Sequence, residues 1–453
     1  MDTIVDRGRL TSLIQTEREL FAREHPRSRA LFEEARQNLL AGVPMSWMTR
    51  WPGGHPVFAA DAAGARITDA DGITYVDLCL GDTGAMAGHA PAATAAAVAD
   101  RFGRGATLML PTEDSTWAAG ELSRRFGLPK WQLTLSATDA NRFAIRIARQ
   151  ITGRRRILVF SYCYHGTVDE TFIVVGTDGR PISREGNVGP PVDPTETTAV
   201  VEFNDAEALE RVLREDEIAC VLTEPALTNI GIVLPQPGFH DALRELTRET
   251  GTLLLIDETH TFSAGPGGYT GAHGLEPDLL TVGKAIAGGV PAGAYGMSEG
   301  VADRIAAQAD ADYEDTGGVG GTLAGNALTA AAIHATLDEV LTATAFERMI
   351  ELASRFTQGV QGVLDAHDLP WHVVQLGARA EYGFLPEPPS SGGEAAAGSD
   401  PELEEYLHLF CLNRGVLITP FHNMALMSPA TEAADVDRHT AVLAEACNLL
   451  AVQ

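Results

Sequence analysis

Two residues in this sequence join a reactive side chain to a position where α/β proteins bind ligands. The apolar run TLLLIDE ends on Asp257, and 27 residues later DLLTVGKAIAGG carries Lys284 at the end of a second run, followed by Gly288 and Gly289. Read as buried strands, both runs deliver their functional group to the C-terminal edge of a sheet, where open α/β sheets bind ligands. A carboxylate there can cap a helix or pair with a cation. It can also hold a pyridinium nitrogen protonated, which makes a heterocycle an electron sink. A desolvated lysine sheds its proton more readily and suits Schiff-base formation; a snorkelling surface lysine is the alternative. Composition favours the first reading of Lys284. Of 33 Lys and Arg residues only Lys130 and Lys284 are lysines, so ordinary positive charge is written as Arg and a lysine is kept where an amine is needed. Lys130, in GLPKWQL, lies where a loop enters a strand and serves as the control.

Two further segments could act with this pair. In WQLTLSATDANRFAIRIARQ a strand runs into Ser136, Ala137 and Thr138 at the start of an amphipathic helix. Free N–H groups and the positive end of the helix dipole make an anion site there, although Ser136 as a simple N-cap explains the pattern equally well in isolation. Beside Asp257 and Lys284, a phosphate site is favoured. In CYHG, Tyr164 can stack on a flat heterocycle and Gly166 lets the backbone approach it, with a core aromatic as the alternative. His165, His260 and His422 have no metal-ligand spacing around them and read as core or surface histidines, so no metal is expected.

The elements that must hold these groups follow from periodicity. Residues 1–40 repeat Leu, Ile and Phe at helical spacing, and VFAADAAGARITDADGITYVDL reads as a strand meander with turns at Gly64 and Asp71-Gly72. From about residue 92, Val-, Ile- and Leu-rich runs alternate with amphipathic segments such as DAEALERVLRE. That alternation predicts an α/β fold with a mostly parallel sheet. The expected organisation is 1–91 as an N-terminal helix and part of a small domain, 92–335 as the large domain, and 336–453 completing a smaller α+β domain. The Pro-, Gly-, Ser- and Ala-rich segment 386–402 reads as a mobile surface loop.

Length and charge exclude several classes. At 453 residues and a net charge of −28 the chain can bury large cores but would be repelled by phosphate backbones and anionic membranes. The one basic run, Arg154 to Arg156, reads as a solvated turn, so neither nucleic acid nor membrane is an expected partner. Five widely spaced cysteines, an odd number with no C-x-x-C pair, fit reduced thiols. MDTIVDRGRL lacks an apolar h-region and no long apolar span occurs, so a cytoplasmic location is expected.

Together, LLLIDE…PDLLTVGKAIAGGVPAGAYG and GTLAGNALTAAA resemble the class III aminotransferases of fold type I, which depend on pyridoxal 5′-phosphate (PLP). The resemblance runs from GARITDADGITYVDLCLGDTGAMAGHAP to the C-terminal helix and is similar to the branch of glutamate-1-semialdehyde aminomutases and β-amino-acid and ω-aminotransferases. It implies a seven-stranded, mostly parallel sheet and a homodimer with an active site shared between subunits. It implies that Lys284 forms the Schiff base and Asp257 pairs with the pyridine nitrogen. The Ala137 and Thr138 N–H groups and the Thr138 hydroxyl would bind phosphate, and Tyr164 would stack on the ring. Glu224 would support the phenolic oxygen side with Asn229 nearby, and Thr322, in GGTLAGN, would reach the neighbouring subunit's phosphate. Two departures stand out: the N/S-G-T-E-A turn of the family is S-A-T-D-A here, and D-E-V is Asp257-Glu258-Thr259, which presents the Thr259 methyl to the ring.

For substrate, Trp47, Met48 and Trp51 lie in the segment that lines the pocket in relatives, or pack a domain seam. Arg379 and Arg50 are candidates for a substrate carboxylate, because a guanidinium matches that shape; pairing of Arg379 with Glu381 is the structural alternative. The leading activity is a ping-pong aminotransferase moving an amino group between an amine or amino acid and a 2-oxo acid. An aminomutase of the glutamate-1-semialdehyde type and a non-catalytic PLP-binding homologue are the alternatives.

Overall fold

A computed structural model describes residues 5–307 and 318–450. The chain divides into two compact units, one comprising 92–346 and 389–397, the other 1–91, 347–388 and 398–453. The larger unit therefore runs about ten residues past the boundary expected at 335 and recaptures a short segment from the C-terminal part.

The larger unit is built on a seven-stranded sheet. In spatial order its strands are Lys130–Thr134, Gly293–Met297, Leu279–Gly283, Leu253–Asp257, Ile218–Thr223, Arg156–Phe160 and Thr198–Val201. Only Gly293–Met297 runs against its neighbours; the other pairings are parallel. The α/β expectation and the strand count hold. Leu253–Asp257 and Leu279–Gly283 are buried at every residue, as strands covered on both faces must be. The helices Ala137–Thr152 and Phe239–Thr250 bury Ala144, Ile145, Ala148, Leu243 and Leu246 in the core of this sheet.

The segment 386–402 departs from its expected mobility. It contains a helix, Gly392–Ala397, tied to the larger unit. Gly393 N–H donates to Glu202 at 3.1 Å, and Asn204 donates to the Ser390 carbonyl at 2.8 Å. A low-complexity composition describes the side chains; here the backbone donors and acceptors fix the segment. The Arg154–Arg156 run is likewise no solvated turn. Arg154 donates to the carbonyls of Ile218 and Thr250 at 2.9 and 2.8 Å, and Arg156 pairs with Asp216 at 2.5 Å.

The smaller unit holds the sheet Ala59–Ala63, Arg66–Asp69, Thr74–Asp77 and Val416–Leu417, and a second of His372–Leu376, Arg379–Gly383 and Met424–Leu426. Val416 pairs in parallel with Val76, so the first sheet needs both ends of the chain. The N-terminal helix Arg7–Glu24 buries Leu10, Ile14 and Phe21, and Glu17 pairs with Arg414 at 3.1 Å. Among the described residues no helix is long and apolar enough to cross a membrane.

Candidate active site

Register brings the chemistry to one edge of the large sheet. Thr134 lies opposite Gly293, and Gly293 opposite Gly283, so Ser136 and Lys284 both leave the sheet at its C-terminal edge. Asp257 lies opposite Thr281 on the next strand, and Glu224 follows the end of Ile218–Thr223. This is the edge at which parallel sheets bind ligands.

Asp257 is 3% exposed and held from three directions. Its Oδ2 accepts from Asn141 Nδ2 at 2.7 Å and His165 Nδ1 at 2.9 Å, and its Oδ1 from the Thr259 N–H at 3.0 Å. Asn141 is oriented in turn by the Thr281 hydroxyl at 2.6 Å. Burial alone would raise the Asp257 pKa; His165, Thr259 and Asn141 outweigh it and bring it down to about 2. The same network acts in reverse on His165: burial opposes its charged form, and the Cys163 and Asp257 side chains drive its pKa up. Asp257 is thus kept as an anion in a dry place, with the His165 Nδ1–H donating to it.

Lys284 opens the turn Lys284–Ala287 with a backbone φ of +50°, a conformation side-chain-bearing residues rarely adopt. It is half-buried, and its Nζ lies 2.7 Å from His260 Nε2. Lys130, by contrast, has a side chain 55% exposed and stands 3.8 Å from Glu299.

The expected anion site falls at the N-terminus of the helix Ala137–Thr152. Ser136 is its N-cap and accepts from the Asp139 N–H, which leaves Ala137 and Thr138 with first-turn N–H groups that no helical carbonyl can reach. The Thr138 hydroxyl accepts from the Thr167 N–H at 3.1 Å. Gly166 has φ +78°, and a Cβ there would fall 2.0 Å from Thr138 Oγ1, so only glycine lets the CYHG turn lie against the cradle. A Cβ at Gly283 would meet the Ala137 backbone nitrogen at 3.0 Å; the bare glycine lets that strand end close on the helix.

The other expected residues fall as follows. Tyr164 is half-buried and edge-on to Phe172, ring centroids 6.2 Å apart. Glu224 is buried and accepts from the Thr228 hydroxyl. Asn229 donates to the Tyr162 carbonyl at 3.0 Å and so props the turn that carries Tyr164. Thr259 is buried, and its hydroxyl has no hydrogen-bond partner among the described residues. Thr322 is exposed in a turn. In the smaller unit, Trp47 packs edge-on to Phe421 at 5.8 Å and Arg50 lies over the same ring at 5.5 Å. Arg379 is buried on the strand Arg379–Gly383, and its expected structural partner Glu381 lies 3.4 Å from His422. No group of His, Cys, Asp and Glu among the described residues is placed to hold a metal ion.

Reading the histidines as core or surface missed two of these contacts. His165 has the burial of a core residue, but its partner is Asp257; His260 meets Lys284. Their places directly after Tyr164 and three residues after Asp257 were the available signals. Asn141, on the buried face of its helix, carried none.

A strong anion at the sheet edge, a half-buried amine, and a helix N-terminus with a glycine-cleared cradle fit a phosphorylated pyridine aldehyde such as PLP. A family model described as aminotransferase class-III matches residues 48–446, and the chain belongs to that family. Its fold is the α/β fold of the PLP-dependent class III aminotransferases. A glutamate-1-semialdehyde aminomutase from Pseudomonas aeruginosa PAO1 is similar in structure, with TM-score 0.97 and 49% identity, covering 99% of this chain and 100% of that one. A glutamate-1-semialdehyde 2,1-aminomutase from Desulfitobacterium hafniense is 34% identical over 85% of this chain and 89% of its own length. An omega-transaminase from Sphaerobacter thermophilus has TM-score 0.84 and 30% identity, over 93% of this chain and 97% of that one.

Proposed function

We propose that this chain is a PLP-dependent aminomutase of the glutamate-1-semialdehyde type, moving an amino group between two carbons of one small substrate. The observation that carries this reading is the 49% identity along nearly the whole chain to a protein described as such an aminomutase. It reverses the order of the two activities expected from sequence, where a two-substrate aminotransferase stood first.

The residues would divide the work as follows. Bound PLP supplies a carbonyl that condenses with amines and a pyridine ring that accepts electrons from the substrate carbon. Lys284 Nζ would be the covalent anchor and would supply the base that moves a proton between the two substrate carbons. Asp257, held as an anion, would pair with the ring nitrogen. Ala137, Thr138 and the helix dipole would hold the phosphate, and Tyr164 would stack on the ring. Glu224, Asn229 and Thr259 line or prop the remaining sides. Arg379, Arg50 and Trp47 are the candidates for substrate contact. We take the active form to be a homodimer with Thr322 reaching the second site, a reading supported by exposed Phe102, Met109 and Leu110 at 69, 75 and 70%. Five buried free cysteines support a reducing, cytoplasmic setting.

The aminotransferase reading stays second, favoured by likeness to the omega-transaminase and to a β-phenylalanine aminotransferase from Variovorax paradoxus, with TM-score 0.84 and 27% identity, covering 96% of this chain and 97% of that one. The test gives the PLP-loaded enzyme glutamate 1-semialdehyde alone. Formation of the isomer with its amino group moved from carbon 2 to carbon 1 is expected. No isomer, with amino transfer from a donor panel to pyruvate or 2-oxoglutarate, would select the second reading.

A further inference from the structure

The turns that follow two neighbouring strands place a second base against Lys284. Asp257, the last residue of its strand, stands opposite Thr281, and just beyond the two strand ends His260, in the turn after Asp257, lies beside Lys284, which opens the turn after Gly283. His260 Nε2 and Lys284 Nζ are 2.7 Å apart.

The contact is built from firmly held parts. On one side the Glu258 N–H donates to the Thr281 carbonyl at 2.8 Å. The buried Glu258 carboxylate accepts from Thr261 Oγ1 at 2.6 Å and from the Tyr269 and Thr270 N–H groups at 3.0 and 2.5 Å. The His260 carbonyl accepts from Ser263 Oγ at 2.9 Å. The backbone on both sides of His260 is therefore anchored. On the other side Lys284 is held at φ +50° at the start of its turn. Neither side chain arrives at the contact by drifting on a loose loop.

Two bases at hydrogen-bond distance need one lone pair between them. If both were protonated, the contact would hold no acceptor and two like charges would face each other. A hydrogen bond at this distance needs one nitrogen to donate and the other to accept.

We infer that His260 is the proton partner of Lys284, receiving at Nε2 the proton that the Nζ ammonium must lose before it acts as nucleophile or base. In that step the Nζ–H bond breaks and its electron pair stays on Nζ. A bond from the proton to Nε2 forms, and the positive charge passes from ammonium to imidazolium. The return transfer restores the lysine. The role rests on the reading of Lys284 as the covalent anchor.

The test strips PLP from the full-length chain, adds it back, and follows the rate of its covalent attachment by absorbance. Borohydride reduction and mass spectrometry locate the adduct. In wild type an adduct on Lys284 is expected; its absence would overturn the anchor reading itself, independently of His260. With the anchor established, His260→Ala and His260→Gln should each attach PLP at least tenfold more slowly. Added imidazole should speed His260→Ala at least threefold and leave wild type unchanged. His260→Gln, which can accept a hydrogen bond but cannot take the proton, guards against a folding defect in the smaller variant. A wild-type rate in either variant, or no response of His260→Ala to imidazole, would overturn the proposal.

Discussion

His165 Nδ1 donates to Asp257 Oδ2 across 2.9 Å, joining a histidine on the loop after one strand to a carboxylate at the end of another, 92 residues away in sequence. The bond keeps Asp257 charged where burial alone would neutralise it, and Asn141 and Thr259 complete its shell. A buried carboxylate without such partners would take up a proton and offer nothing to a cationic ring.

Asp257→Asn keeps the size and removes the charge. Turnover should fall on the order of 10²–10³-fold, the scale of losing one preorganised charge in a dry site, while PLP phosphate still binds at the helix terminus. Steady-state rates and a PLP titration check the two halves; an unchanged rate would detach Asp257 from the ring nitrogen.

The His165–Asp257 pair should also shape stability with pH. Asp257 lies below its unfolded value, so its contribution is complete above about pH 4 and fades as pH falls toward 2. His165 lies above its unfolded value of about 6.5, so its contribution is complete below that and is lost as pH rises. Between about pH 4 and 6.5 the pair contributes most. The melting temperature of the PLP-free protein should drop from pH 6 to pH 9, and His165→Asn should reduce that difference while costing about 1–3 kcal/mol at pH 6.

Gly166→Ala adds one carbon where 2.0 Å separates it from Thr138 Oγ1, at φ +78°. The strain is about 1–3 kcal/mol, and relief requires the CYHG turn to move off Thr138, the proposed phosphate contact. PLP affinity should weaken at least tenfold by fluorescence titration, with a lower melting temperature.

The two lysines should respond in opposite ways to arginine. Lys284→Arg removes the only amine at the site and should abolish covalent PLP capture and turnover. Lys130→Arg keeps an exposed pairing with Glu299 and should change stability by less than about 0.5 kcal/mol and activity hardly at all. Parallel assays of both variants check this; equal losses would mean that lysine scarcity carries no functional information.

Much of the site can be read along the chain because strand ends are local events. TLLLIDE and DLLTVGK announce buried strands that finish on Asp257 and just before Lys284, and SATDA announces a helix start with Ser136 as its cap. Composition draws the eye to Lys284, one of only two lysines in the sequence. These features depend on a residue and its near neighbours.

Only the tertiary structure decided what those groups touch. Parallel pairing brings the ends of the Asp257 and Gly283 strands side by side, and the turns that follow them set His260 against Lys284. Asn141 and His165 reach Asp257 from a helix and a loop that sequence leaves far apart. The segment 386–402, mobile by composition, is tied down by Glu202 and Asn204, residues nearly two hundred positions earlier. Local sequence determines the elements and the groups at their ends; strand pairing and packing between distant segments determine which groups share a proton, a charge or a hydrogen bond.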